Sequence, residues 1–232
     1  MPNAIGSPEK RRVRLERDIA RLNEDLLALG SIVEQATLEA VESLKQRDFE
    51  TSRRIVRDDR EINRRRFAIE EAVLAVIATQ QPVAHDLRHL TAVLDVVTEL
   101  ERMGDYAKGI AEINLRIGEK PLIKPLIDVP RMAEKAVAML HSALGAFVAG
   151  DAVRAREVPN ADDEVDQLYN QVYNELVMYM ISDPRTIDGA TYLLWVAHNL
   201  ERLADRVTNI CERTIFLVTG EQLEMDSEGD FA

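Results

Sequence analysis

The sequence predicts an all-α protein built as two tandem antiparallel three-helix bundles, with six helices and an internal duplication. Three observations lead to this fold class. Hydrophobic residues make up 46% and charged residues 30% of the 232-residue chain, and glycine and proline are scarce, a composition typical of helices with one apolar face. Apolar residues recur at helical spacing over long stretches, while strand-like alternation is nearly absent. A charged motif also recurs after one hundred residues.

Breaker residues divide the first half into three predicted helices. The first starts at Ser7-Pro8-Glu9, where a capping serine precedes a proline in the first turn, and it ends near Lys45 to Asp48. The second runs from about Asp48 to Pro82, because proline lacks the amide that continues a helix. The third begins around Pro82 to His85 and ends near Gly118.

The second half repeats this plan. Helix four covers about residues 129–149 and stops at Gly150-Asp151, which matches Arg47-Asp48 in the first half. Helix five covers about residues 152–181 with a bend at Pro159. Helix six covers about residues 186–218. Trp195 stands within an apolar run of helix six, and we expect it in the core.

The helices and prolines predict four segments. Residues 9–120 form the first bundle and residues 130–220 the second. Residues 121–129 form a linker, because three prolines within ten residues (Pro121, Pro125 and Pro130) cannot continue a helix. Residues 221–232 form an acidic tail that is frayed.

Charge and cysteine content indicate the compartment and exclude some partners. The formal net charge of −12 disfavours nucleic-acid binding, because phosphate backbones would be repelled. A single cysteine, Cys211, cannot form an internal disulfide and fits a reducing compartment. The sequence has neither the apolar core of a signal peptide nor an apolar run of roughly 18 residues. We therefore expect a cytoplasmic protein.

The charged motif is the strongest functional signal. Leu100-Glu101-Arg102-Met103-Gly104-Asp105 recurs as Leu200-Glu201-Arg202-Leu203-Ala204-Asp205. Acidic residues four apart lie on one face of a helix. Because charged and apolar positions recur together, the repeat predicts a duplicated site as well as a duplicated fold.

Acidic and amide residues on neighbouring helices extend each copy of the motif into a candidate metal patch. An antiparallel helix pair would bring the acids of helix five toward those of helix six, and clustered oxygens suit divalent or ferric ions. The alternative is that these are surface acids balanced by Arg102 and Lys108. The candidate ligands are Asp59, Asn63, Glu101, Asp105, Asp162, Asp166, Glu201 and Asp205.

Catalytic signatures are absent from the sequence. It contains no glycine-rich phosphate loop, nucleophile elbow or recognisable triad, and no glutamate followed by histidine three residues later, as ferritin-type di-iron centres require. Three functions stay open: a non-enzymatic regulator, a metal-dependent hydrolase that uses the carboxylates to activate water, and a metal-free helical adaptor.

The paired Leu-Glu-Arg-x-x-Asp motifs, together with Asp86-Leu87-Arg88, resemble the PhoU family of phosphate-uptake regulators over about residues 10–220. The resemblance implies two three-helix bundles carrying surface clusters of iron, zinc, manganese or magnesium. The implied ligands are the acidic pairs of both halves. Asn63 departs from this pattern, because the family favours aspartate there, and the first site therefore carries one negative charge less.

The resemblance also implies a role. Family members restrain phosphate uptake and the phosphate-starvation response, and they link the ATPase of the phosphate ABC transporter to a membrane sensor histidine kinase. We therefore expect a cytoplasmic homodimer that is not an enzyme and that is peripheral to the membrane only through its partners.

Overall fold

A computed structural model of the protein describes residues 8–225 and confirms the predicted fold class. The predicted cap at Ser7 and the end of the acidic tail lie outside these residues. Two 3-10 turns, Val158–Ala161 and Pro184–Thr186, interrupt the helices of the second half. The α-helices are α1 (Pro8–Gln46), α2 (Phe49–Gln80), α3 (His85–Ile117), α4 (Asp128–Ala149), α5 (Ala152–Glu157), α6 (Asp162–Ser182) and α7 (Ile187–Thr219).

The connection that follows the first helix of each bundle has the same backbone conformation and the same capping residue. After α1, Arg47 adopts a φ of 58°, and Asp48 caps α2 by accepting hydrogen bonds from the amides of Glu50 and Thr51. After α4, Gly150 adopts a φ of 62°, and Asp151 caps α5 in the same manner. An aspartate cap satisfies amides that have no partner within the helix. The duplication therefore extends to the turn chemistry.

The predicted fifth helix is divided at the proline that was expected to bend it. α5 ends at Glu157, the 3-10 turn contains Pro159, and α6 starts at Asp162. Pro159 has no amide proton to continue the α-helical ladder. The turn places Asp162 in the first turn of α6.

The two bundles are packed against each other through α3 and α7, and α1 also contacts α4. Gly30 of α1 packs against the side chain of Leu144 of α4 with no room for a Cβ, so these helices approach closely. Polar contacts join α3 and α7 as well, because Glu99 pairs with Arg206 at 3.3 Å. The buried apolar residues of both halves form one cluster.

Among the helices within residues 8–225, α4 is long and apolar enough to cross a membrane, with a mean hydropathy of 1.2. Half of that stretch is buried, and Leu140 and Phe147 are completely inaccessible. The helix packs against α1, α6 and α7. These contacts are those of a core helix.

The expectation that Trp195 belongs to the core is wrong. Its residue surface is 64% exposed, whereas Leu193, Val196 and Leu200 are buried. These three residues follow the inward stripe of α7, and Trp195 lies beside that stripe. An unbroken apolar run does not distinguish the two faces of a helix.

Gly104 lies in the repeated motif at a point where α3 approaches α2. A Cβ added there would lie 2.8 Å from Ile62 Cδ1 and 3.2 Å from Ile62 Cγ2, whereas one added at Gly145 would meet only the side chain of Arg154, at 3.4 Å. Alanine raises helix propensity equally at both positions. We expect Gly104→Ala to be less stable than Gly145→Ala by about 1 to 2 kcal/mol in urea denaturation, because the core is overpacked. Equal stability would show that Ile62 yields without strain.

Candidate metal centre

The structure brings the four second-half carboxylates together between α6 and α7, as the sequence predicts. Asp162 and Asp166 lie one turn apart on α6, and Glu201 and Asp205 do so on α7. The two helices pack along each other. Asp162 and Asp205 line the same pocket.

Burial raises the pKa of every member of this cluster, and repulsion between carboxylates adds to the effect at Asp162, Asp166 and Glu201. Burial is the largest cause at Asp162 and, with the charges of Asp166 and Asp205, raises its pKa from 3.8 to about 7. Burial and then the charge of Asp205 raise the pKa of Glu201 from 4.5 to about 7. The pKa values of Asp166 and Asp205 are also raised, mainly by burial. The cluster therefore holds more negative charge than its surroundings compensate.

Two oxygens of the cluster lack a hydrogen-bond donor. Asp162 Oδ1 and Glu201 Oε2 are buried without one. His198 Nδ1 lies 3.3 Å from Glu201 Oε2, but the geometry is not that of a hydrogen bond. Asp205 is partly compensated by Arg202 at 2.9 Å. Buried carboxylate oxygens without partners are unfavourable, and a bound cation would satisfy them.

The chemistry of these donors fits a hard or borderline metal ion, although the side chains are not set in a finished coordination sphere. Within residues 8–225, no group of three His, Cys, Asp or Glu side chains is arranged so that it could hold a metal ion. Side-chain rotation would have to draw the oxygens toward a common point.

The first-half residues, which the sequence also predicts to bind metal, differ from the second-half cluster because a lysine lies between two of their carboxylates. Lys108 Nζ lies 3.0 Å from Asp59 Oδ2 and 3.4 Å from Asp105 Oδ1. Asn63 Nδ2 donates to the same Asp59 oxygen at 3.4 Å, while Asp59 Oδ1 has no partner. Glu101 forms an ion pair with Arg66, with 3.4 Å between Oε1 and Nη1. Lys108 thus supplies from within the chain the positive charge that a metal would bring.

The two halves differ at one position that changes their charge balance. Threonine stands at 208 where the first copy of the repeat has Lys108. The sequence indicated Lys108 only as one of two balancing charges, and Arg102 pairs instead with Glu99, at 3.8 Å. Thr208 lines the pocket with Asp162 and Asp205. Aligning the two copies residue by residue would have revealed that only the second lacks this lysine.

The pocket beside the second-half cluster has a volume of about 500 Å³ and an acidic lining. Arg156 is the only basic residue of the lining. The amide of Met225 donates to Glu212 Oε1 at 2.7 Å, so the chain after α7 returns to this pocket. An acidic lining repels a phosphate anion, so the pocket suits a cation.

Comparison with known proteins gives the family. The PhoU domain matches residues 26–113 and 129–214, one match for each bundle. The chain belongs to the PhoU family. Both copies of the repeated motif fall inside the matched residues.

Similar proteins cover nearly the whole chain. The chain is 37% identical over 215 residues to the phosphate-specific transport system accessory protein PhoU homolog of Clostridium acetobutylicum. The aligned region covers 91% of this chain and 97% of that relative. The homolog from Caulobacter vibrioides is also 37% identical, and the aligned region covers 89% of this chain and 90% of that relative.

Solved structures of similar proteins share the architecture. The crystal structure of the phosphate transport system regulatory protein PhoU from Streptococcus pneumoniae superposes with a TM-score of 0.84 at 30% identity, covering 91% of this chain and 100% of that chain. The crystal structure of PhoU from Pseudomonas aeruginosa superposes with a TM-score of 0.83 at 32% identity, covering 89% of this chain and 99% of that chain.

Proposed function

We propose that this protein is a non-enzymatic cytoplasmic regulator of phosphate homeostasis, which restrains phosphate uptake and the phosphate-starvation response. The observation that carries the proposal is membership of the PhoU family over both bundles, with relatives named as accessory proteins of the phosphate-specific transport system. The lack of a recognisable catalytic motif in the sequence agrees with a regulatory role.

The proposed partners are the ATPase of the phosphate ABC transporter and the sensor histidine kinase of the phosphate response, with a second copy of the chain forming a homodimer. Long rigid helices with charged outward faces support such contacts, because surfaces of this kind provide complementarity without rearrangement. The protein itself would bind no nucleic acid.

Deletion of the gene tests the regulatory role. At high external phosphate, we expect the deletion strain to take up phosphate faster and to express a phosphate-starvation reporter that the parent strain represses. Plasmid-borne wild-type protein should restore repression. Unaltered uptake and reporter expression in the deletion strain would contradict the proposal.

We further propose that the second-half cluster binds iron, zinc, manganese or magnesium through Asp162, Asp166, Glu201 and Asp205. Support comes from the uncompensated charge and from the two buried oxygens without donors. The bound metal would supply positive charge that joins α6 to α7. The first-half residues Asp59, Asn63, Glu101 and Asp105 are not included, because Lys108 and Arg66 already compensate part of their negative charge.

Elemental analysis tests this metal site directly. We expect the protein purified without chelator or affinity metal to contain metal, and the double variant Glu201→Ala/Asp205→Ala to lose it. The double variant Glu101→Ala/Asp105→Ala is the matched control, because it removes the same pair from the other copy of the repeat, and it should retain the metal. Loss of metal from both variants, or no metal in the wild type, would contradict the assignment.

A further inference from the structure

The outward face of α2 carries a line of arginines on a protein whose net charge is −12. Arg53, Arg57, Arg60 and Arg64 are exposed and follow the three- and four-residue spacing that places side chains on one face of a helix. We call these four residues the basic stripe. Its length and continuity distinguish it from scattered surface charge.

Three of these arginines have no acidic partner among the described residues. Arg64 is held by Glu61 at 2.7 Å, whereas Arg53, Arg57 and Arg60 form no ion pair within residues 8–225. The nearby acids Asp58 and Asp59 line a groove toward α1 and α3. The guanidinium groups of Arg53, Arg57 and Arg60 are therefore exposed to solvent and free of ion pairs within the described residues.

The same face continues into exposed apolar side chains. Phe67 and Leu74 follow Arg64 at helical spacing, and they are 55% and 58% exposed. Two acidic residues lie between them: Glu70 pairs with Arg66 at 2.8 Å, and Glu71 is exposed. From Arg53 to Leu74 the face extends about 30 Å, at the rise of an α-helix.

The duplication shows that this face is not a general feature of the fold. The register that matches Asp59 with Asp162 places Arg156, Asn160, Asp163 and Gln167 at the four positions of the basic stripe. The second bundle therefore keeps one arginine at these four positions, Arg156, and does not repeat the line of arginines. The arginines are not needed to build a bundle of this kind.

We propose that the outward face of α2 binds the surface of an anionic phospholipid bilayer. Arginines in line would contact the headgroup phosphates, and Phe67 and Leu74 would enter the boundary between headgroups and acyl chains, as apolar residues of interfacial helices do. A nucleic acid would leave these two apolar side chains without a role. The acidic remainder of the protein is repelled by the same bilayer, so this face would be directed to the membrane.

This inference does not depend on the proposed function, because vesicle binding requires neither transporter nor kinase. It differs from the expectation that partners alone bring the protein to the membrane. A protein that binds vesicles but leaves phosphate control unchanged would contradict only the regulatory proposal.

Co-sedimentation with vesicles tests the contact. We expect the full-length protein to bind vesicles of phosphatidylglycerol in phosphatidylcholine, and not vesicles of phosphatidylcholine alone. Each arginine near an anionic surface changes partitioning by about five-fold, so Arg53→Gln/Arg57→Gln/Arg60→Gln should weaken binding by about a hundred-fold. Phe67→Ser/Leu74→Ser should remove the part of the binding that persists at high salt.

The triple variant Arg116→Gln/Arg131→Gln/Arg185→Gln is the matched control, because it removes the same charge from exposed positions on α3, α4 and the turn before α7. It should bind like the wild type, and circular dichroism should show that all variants remain helical. The proposal is overturned if the wild type does not bind phosphatidylglycerol vesicles, if the control variant loses as much binding as the stripe variant, or if the stripe arginines affect only binding to duplex DNA.

Discussion

Asp162→Asn is expected to stabilise the metal-free protein at neutral pH by on the order of 2 kcal/mol. Burial and neighbouring carboxylates raise the pKa of Asp162 from 3.8 to about 7. An acid whose pKa is raised in the folded state lowers stability as pH increases between its unfolded and folded pKa values. Asparagine removes that ionisation. The lost interaction of the charge with the α6 dipole, about 0.3 to 1 kcal/mol, is smaller.

The stability gained by Asp162→Asn should increase with pH. In urea denaturation with chelator present, the gain from Asp162→Asn should be absent near the unfolded pKa of 3.8 and should grow as pH rises, reaching a plateau above about 7, the folded pKa. A saturating metal should reverse the order of stability, because only the wild type keeps the complete ligand set.

Asp59→Asn is the matched control, at the corresponding position of the first half. Asp59 is also buried, at 7% exposed, but Lys108 lies 3.0 Å from it. Removing the carboxylate leaves that ammonium with Asp105 alone, so this variant should lose about 1 to 3 kcal/mol. A shift of both variants in the same direction would show that the two halves do not differ in charge compensation.

Thr208→Lys is expected to weaken metal binding at the second-half cluster by at least about a hundred-fold, because a fixed ammonium repels the ion and neutralises its ligands. Thr208 lines the pocket with Asp162 and Asp205, and it stands at the position that Lys108 occupies in the first copy. Titration calorimetry of chelator-treated protein with zinc or manganese measures the change.

The stability of the same variant separates electrostatics from misfolding. Without metal, Thr208→Lys should be more stable than the wild type at neutral pH, because the lysine compensates charges that raise the pKa values of Asp162 and Glu201. Thr208→Met has similar bulk without charge, so it should leave that electrostatic destabilisation in place. Unchanged metal affinity in Thr208→Lys would place the ion elsewhere.

The sequence alone was sufficient for most helix boundaries, although the predicted fifth helix is divided by a 3-10 turn. Several boundaries depend on local chemistry: Pro82 ends α2 because it has no amide proton, and Asp48 and Asp151 cap the helices that follow them. The bend at Pro159 was expected for the same reason. The duplicated motif and the acidic pair on the neighbouring helix also predicted which acids of the second half come together, because residues four apart share a helix face.

Tertiary structure decided which acids remain uncompensated and which surfaces are exposed. Lys108 reaches Asp59 from another helix, forty-nine positions away along the chain, and helical spacing does not reveal such a contact. The exposure of Trp195 likewise depends on which flank of α7 faces its neighbours. Local sequence determines where helices begin and end, because the interactions involved span a few residues. The packing of α3 on α7 and the charge balance of each site arise only when distant helices meet.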